Sequence, residues 1–262
     1  MNVSVSVPQE YFSSLYNTLK EKGFKDRYIK HTLWSLQLAD IYIALYPSGS
    51  LLLQGKDASK LNELKKFILS FVVPPSRPQI GCDESGKGDV FGPIVFCCAA
   101  VEPKVYKDIL GLTPKDCKLI RDDELFRKVK LLSNMVDVTC ILYEPKELNS
   151  MYEQIKNMNR IMDMAYESLL EEVKKKYPEC DIYIDAYSKV NPFDEKVHFE
   201  PKGERVVFVA VASMFARAKF IEWLKRYNLP KGSTREALLK AKEILKKDPK
   251  GASTIIKTFF LE

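Results

Sequence analysis

The run Gly81-Cys82-Asp83-Glu84-Ser85-Gly86-Lys87-Gly88-Asp89 places two neighbouring carboxylates in a glycine-rich turn. It comes close to a phosphate-cradling loop, but Gly88 stands where that loop needs Ser or Thr to hold magnesium, and bare carboxylates inside the cradle would repel phosphates. Gly86 and Gly88 permit backbone conformations other residues resist and let a sugar-phosphate chain approach closely. Adjacent strand residues point to opposite faces, so at most one of Asp83 and Glu84 aims into a site unless the turn re-aims the other. Asp185 closes the strand-like run Asp181-Ile182-Tyr183-Ile184-Asp185, at the C-terminal end where sites on α/β sheets gather. Glu204 stands in Pro201-Lys202-Gly203-Glu204, directly before a long apolar helical stretch. Singly, these acids read as a solvated turn, a strand-ending residue and a partner for a helix dipole. Together they are hard oxygen donors suited to Mg²⁺ or Mn²⁺. Two such ions about 4 Å apart can activate water on one side of a phosphodiester and stabilise the leaving oxygen on the other, which is nuclease chemistry.

Other chemistries are poorly supplied. The chain has two histidines, His31 opening an apolar strand and His198 in a polar loop, which leaves no Ser-His or Cys-His nucleophile system. The six cysteines, at 82, 97, 98, 117, 140 and 180, form no Cys-x-x-Cys pair and fall mostly in apolar runs, so buried reduced thiols are expected rather than a zinc site. With 262 residues, 46% of them hydrophobic, the chain can bury a sizeable core. A formal charge of +6 suits an acidic partner such as nucleic acid. No apolar run approaches the roughly 20 residues of a membrane-spanning helix, and the N-terminus lacks a basic n-region, so no membrane association and a cytoplasmic location are expected.

The elements that must position the acids fall on either side of Val73-Pro74-Pro75-Ser76-Arg77-Pro78, where proline stops any helix or central strand. Before it the pattern predicts a strand at Val3–Val7, a helix over 11–22, three strands in HTLWSLQL, DIYIALY and SLLLQG, and a helix over Ala58–Phe71. Asn2, Ser4, Ser6, Ser35 and Gln37 alternate with apolar residues, giving the small sheet a polar, solvent-facing side that could meet a nucleic-acid groove or simply be wet. After it come strands at 80–83 and 90–101, another in VDVTCILYEP, a long helix over 145–177, the strand DIYID, and helices over 206–227 and 234–247. Strands followed by mixed strands and helices predict an α/β (α+β) domain with a mixed sheet and flanking helices.

These residues resemble the type 2 ribonucleases H, and DESGKGDVFGP is similar to ribonuclease HIII rather than ribonuclease HII. The resemblance runs on through Asp116-Cys117-Lys118 (where the family usually has Asp-Ser-Lys), Asp185, Lys202-Gly203-Glu204, Ala212-Ser213, Ala216-Arg217 and the Lys-Gly-Ala-Ser tail. It implies a TATA-binding-protein-like substrate-binding domain over 1–73, a proline-rich linker over 74–78 and a ribonuclease H-like catalytic domain over 79–262. It also implies that Asp83, Glu84, Asp185 and Glu204 are the catalytic, metal-binding carboxylates for two divalent ions, Mg²⁺ or Mn²⁺. Ser85, Gly86, Lys87, Gly88, Asp116, Cys117, Lys118 and Ser213 would be substrate-binding, with the backbone of Gly86 to Gly88 at ribose 2′-hydroxyls and Lys118 and Ser213 at phosphates. Asp89 reads as a turn-stabilising residue instead. The implied reaction cuts the RNA strand of an RNA/DNA hybrid to 3′-hydroxyl and 5′-phosphate ends. Ribonuclease HII-like cutting at single embedded ribonucleotides and non-catalytic hybrid binding are the alternatives. No obligate protein partner is evident, and a monomer is expected.

Overall fold

The computed structural model describes residues 1–114, 120–194, 196–201, 203 and 206–261. Two five-stranded sheets organise the chain. The first takes β1 (Asn2–Ser6), β2 (Lys25–Asp26), β3 (Trp34–Leu38), β4 (Ile41–Leu45) and β5 (Ser50–Gln54) in the antiparallel order β1-β5-β4-β3-β2. Helices α1 (Phe12–Glu21) and α2 (Ala58–Phe71) supply Leu15, Leu19, Leu61 and Ile68 to its core, against Val5, Leu36, Ile43, Leu51 and Leu53. Asp57 starts α2 by accepting hydrogen bonds from the Ser59 and Lys60 N–H groups.

The polar face of this sheet is not wholly open to solvent. It meets α3 (Tyr106–Leu112) and the residues after it: the Ser4 hydroxyl lies 3.1 Å from that of Thr113, and Ser6 donates to the Pro114 carbonyl. From the middle of α2, the Lys65 ammonium donates to the Gly111 carbonyl at 2.6 Å.

The second sheet is mixed, as its sequence pattern predicts. Its order is β10-β9-β6-β7-β8, from β6 (Gln79–Ser85), β7 (Ile94–Val101), β8 (Asp137–Tyr143), β9 (Asp181–Asp185) and β10 (Val197–Glu200). Strands β10, β9 and β6 run parallel, and β7 and β8 are antiparallel additions. One face carries α7 (Val207–Arg226), buried on nearly all sides, with α3, α4 (Asp122–Leu132) and α8 (Arg235–Lys247) around it. The other face carries α6 (Met158–Lys176) and α5 (Pro145–Ile155).

Several expectations are corrected. The predicted helix over 145–177 is two helices, because Lys156 adopts a left-handed conformation (φ 51°) and the Asn157 side chain caps α6 at the Arg160 N–H. The strand expected from residue 90 begins at Ile94; Gly92, at φ 81°, and Pro93 keep the preceding stretch irregular. His198 lies in β10 rather than a loop, its ring stacked on Tyr183 at 4.5 Å. His31 precedes β3 in a turn with φ 66°. Finally, Cys82–Cys98 and Cys97–Cys140 are disulfides rather than reduced thiols, since the strand register sets each pair directly opposite on neighbouring strands. Cys180 is free, and Cys117 lies outside the described residues. Among the described residues no helix is long and apolar enough to cross a membrane.

Candidate active site

Side-chain alternation along β6 decides where its acids go. Ile80 and Cys82 belong to the core under α6, so Glu84 faces α6, while Gly81 and Asp83 face α7. On β9, Ile182 and Ile184 point toward α6, and Asp185 therefore shares the α7 face with Asp83. The parallel ladder pairs Cys82 with Ile184, so Asp83 and Asp185 stand side by side one step beyond it, at the C-terminal ends of two adjacent strands.

Helix α7 is brought onto these acids by Gly81. A Cβ there would sit 2.0 Å from the Phe208 carbonyl carbon, so only glycine lets the helix backbone lie directly on the strand. Further along, Ser213, 3% exposed, hydrogen-bonds the Asp83 carboxylate, and the Phe220 ring lies against Gly86. Burial chiefly, then the charge of Glu84 and in lesser part that of Asp185, push the Asp83 carboxyl well above the usual carboxylate range, against the opposing hydrogen bonds from Ser213 and the Glu84 N–H. The half-buried pair Asp83 and Asp185 suits a divalent cation, whose charge would offset their repulsion and whose preference is for hard oxygen.

Glu84 is held from the opposite side: the fully buried Tyr166 hydroxyl donates to its Oε2 at 2.6 Å. Asp185 Oδ1 accepts from the Gly203 N–H at 2.8 Å, and a Cβ at Gly203 would come within 2.9 Å of the Asp185 Cα. Gly203 therefore lets the segment leading to Glu204 lie against the end of β9. Glu204 itself, with Asp116, Cys117 and Lys118, lies outside the described residues. Among the described residues no three His, Cys, Asp or Glu side chains gather closely enough to cage an ion.

The loop after the acids is shaped by two different glycines. Gly86, at φ 98°, has no room for a side chain beside the Pro93 carbonyl, whereas Gly88 is exposed with nothing within 4 Å of where a Cβ would stand. Ser85 is half-buried at the end of β6, and the Lys87 ammonium lies 5.5 Å from the centre of the Tyr187 ring. Asp89 accepts a hydrogen bond from the Gly232 N–H, and Val90 donates to the Gly232 carbonyl. The C-terminal segment closes over this loop: the fully buried Lys257 ammonium donates to the carbonyls of Phe91 (3.2 Å) and Gly92 (2.6 Å). Sequence reasoning missed Tyr166, Tyr187 and Lys257; the first reads as a core position of an amphipathic helix, and the others carry no local motif.

Comparison with known proteins places the chain in a family. Residues 80–260 match the family model described as Ribonuclease HII. Ribonuclease HIII of Aquifex aeolicus (strain VF5) is 35% identical over 92% of this chain and 94% of its own length. The crystal structure of Aquifex aeolicus RNase H3 covers 98% of this chain and 99% of its own at 34% identity, with a TM-score of 0.62. Bst-RNase HIII in complex with Mn²⁺, at 24% identity and a TM-score of 0.64, shares the fold over 98% of this chain and 95% of its own. The fold and these relatives thus define a metal-dependent endoribonuclease, a hydrolase of the ribonuclease H type. Within that class the chain belongs to the type 2 enzymes, in the ribonuclease HIII family.

Proposed function

We propose that the chain cuts the RNA strand of RNA/DNA hybrids by hydrolysis assisted by two divalent ions, Mg²⁺ or Mn²⁺, leaving 3′-hydroxyl and 5′-phosphate ends. The observation that carries this reading is the pairing of Asp83 and Asp185 on one face at the ends of adjacent strands, with burial and mutual charge favouring a cation between them. Glu84 and Glu204 complete the ligand set. The ions, when bound, lower the pKa of an attacking water and offset charge on the departing 3′-oxygen.

The chain's own groups do the rest. Ser213 and the Glu84 N–H orient Asp83, and the Gly203 N–H orients Asp185. The backbone of Gly86, Lys87 and Gly88 approaches ribose 2′-hydroxyls, which distinguish RNA from DNA, and the open space around Gly88 supports that approach. Ser85, Asp116, Cys117 and Lys118 contact the substrate strand, whereas Ser213, expected from the sequence at a phosphate, is buried against Asp83 and acts through that carboxylate instead. Residues 1–73 dock the duplex, 74–78 link, and 79–262 cut.

A labelled RNA/DNA hybrid incubated with the chain and Mg²⁺ or Mn²⁺ tests the reading. Cleavage by the wild type, with loss of at least about a hundredfold in Asp185→Asn, is expected. An intact hybrid, or an Asp185→Asn variant as active as the wild type, would sink it.

A further inference from the structure

Strand alternation puts Glu84 on the sheet face opposite Asp83 and Asp185, so something on that face must fix a flexible side chain if it is to serve the same site. Tyr166 is placed to do this. Its hydroxyl donates to Glu84 Oε2 at 2.6 Å, and its ring has no freedom to leave. Phe96 packs edge-on against it at 5.3 Å, Phe193 at 6.2 Å, and Tyr187 lies face to face with it at 5.5 Å and 8°.

Tyr187 is fixed in turn. Its hydroxyl donates to Asp163 at 2.7 Å, one turn before Tyr166 on α6, so the stack returns to the helix it started from. The Lys87 ammonium lies 5.5 Å from the Tyr187 ring, and Tyr187 follows Asp185 by two residues. A single two-ring stack therefore touches the second acid of β6, the Gly-Lys-Gly loop and the chain leaving β9.

We propose that Tyr166 is a positioning residue that holds the Glu84 carboxylate in its cation-binding orientation, and that Tyr187 and Asp163 hold Tyr166. The inference rests on the metal-dependent reading of the acid site given above. Immobilising a glutamate beforehand removes rotamer entropy that a cation would otherwise have to overcome. Partners of this kind behind a ligand typically change metal affinity or activity by about 10- to 100-fold. The opposing possibility is that the phenol is a core ring whose hydroxyl has merely found the nearest acceptor.

Calorimetric titration of the full chain with Mn²⁺, without nucleic acid, separates the two. Tyr166→Phe keeps the ring and its packing; it is expected to bind Mn²⁺ about tenfold more weakly. The Mn²⁺ concentration that half-saturates hybrid cleavage should rise by the same factor, and cleavage should recover as Mn²⁺ is raised. Tyr187→Phe, which removes only the bond to Asp163, is expected to shift both readouts in the same direction by a smaller factor, and it carries the test if Tyr166→Phe does not fold. Unchanged or tightened Mn²⁺ binding in both variants overturns the positioning role while leaving the acid site intact. A wild type that binds no Mn²⁺, or an Asp185→Asn variant that binds it normally, overturns the acid site and the proposal with it.

Discussion

Lys257 shows how far a single side chain can commit a fold to one chemistry of solvent. It is wholly buried, with two backbone carbonyls as acceptors, and burial brings its pKa down to about 7, only weakly opposed by the charge of Asp89. The unfolded chain keeps that proton up to the ordinary value of 10.5, whereas the folded chain releases it near 7. Over this window the unfolded state binds more protons, so stability rises with pH by about 1.4 kcal/mol per unit from this group, and the contribution is lost as pH falls through 7. The difference in unfolding free energy between wild type and Lys257→Met, followed from pH 6 to 10 by chemical denaturation, should climb accordingly; a flat difference would mean that the lysine stays charged when buried. Nothing local in the sequence marks Lys257, or Tyr166, because their partners lie 165 and 82 residues away. The acids are different. Asp83, Glu84 and Asp185 stand out in the sequence only as a set, since each alone reads as an ordinary turn or strand-end acid and neighbouring histidines and Cys-x-x-Cys pairs are missing.

At the scale of elements, the two glycines of β6 and its loop make opposite demands. Gly81 lies under α7 with no space for a methyl group, while Gly88 has open space and a backbone that other residues adopt. Gly81→Ala is therefore expected to cost about 3 kcal/mol or more, through forced separation of α7 from β6. Gly88→Ala should leave stability within about 0.5 kcal/mol yet, on the proposed contact of this loop with ribose, reduce hybrid cleavage. Thermal unfolding and cleavage rates on both variants check this pair, and a fully active Gly88→Ala would remove the loop from substrate recognition. Periodicity located most of the strands, and with them α2, α7 and α8, because those elements alternate or repeat cleanly against the core. It passed over α3 and α4, whose short amphipathic turns sit in charged sequence, and joined α5 to α6, since one left-handed residue leaves no trace in a hydrophobic pattern. The facing of Glu84 toward α6 was implicit in strand alternation; which group would meet it there was not.

For the whole molecule, hybrid affinity and turnover should separate. Removing residues 1–73 is expected to weaken hybrid binding far more than it slows turnover at saturating substrate. The remaining affinity should also fall less steeply with salt, by about 0.9 in log–log slope for each phosphate that the shortened chain no longer neutralises. Binding isotherms at several salt concentrations check this, and unchanged affinity would refute the docking role of the first sheet. The bonds from Ser4, Ser6 and Lys65 to Thr113, Pro114 and Gly111 add a geometric consequence. They fasten the first sheet to the second body immediately before residue 115, at a constant offset from the acids at the ends of β6 and β9. A duplex gripped by the first sheet would thus be presented to the acids a set number of base steps from the grip. On the proposed docking role, two hydroxyls and one ammonium would make the molecule a gauge, setting its cutting position by distance from the grip instead of spelling it out from the bases.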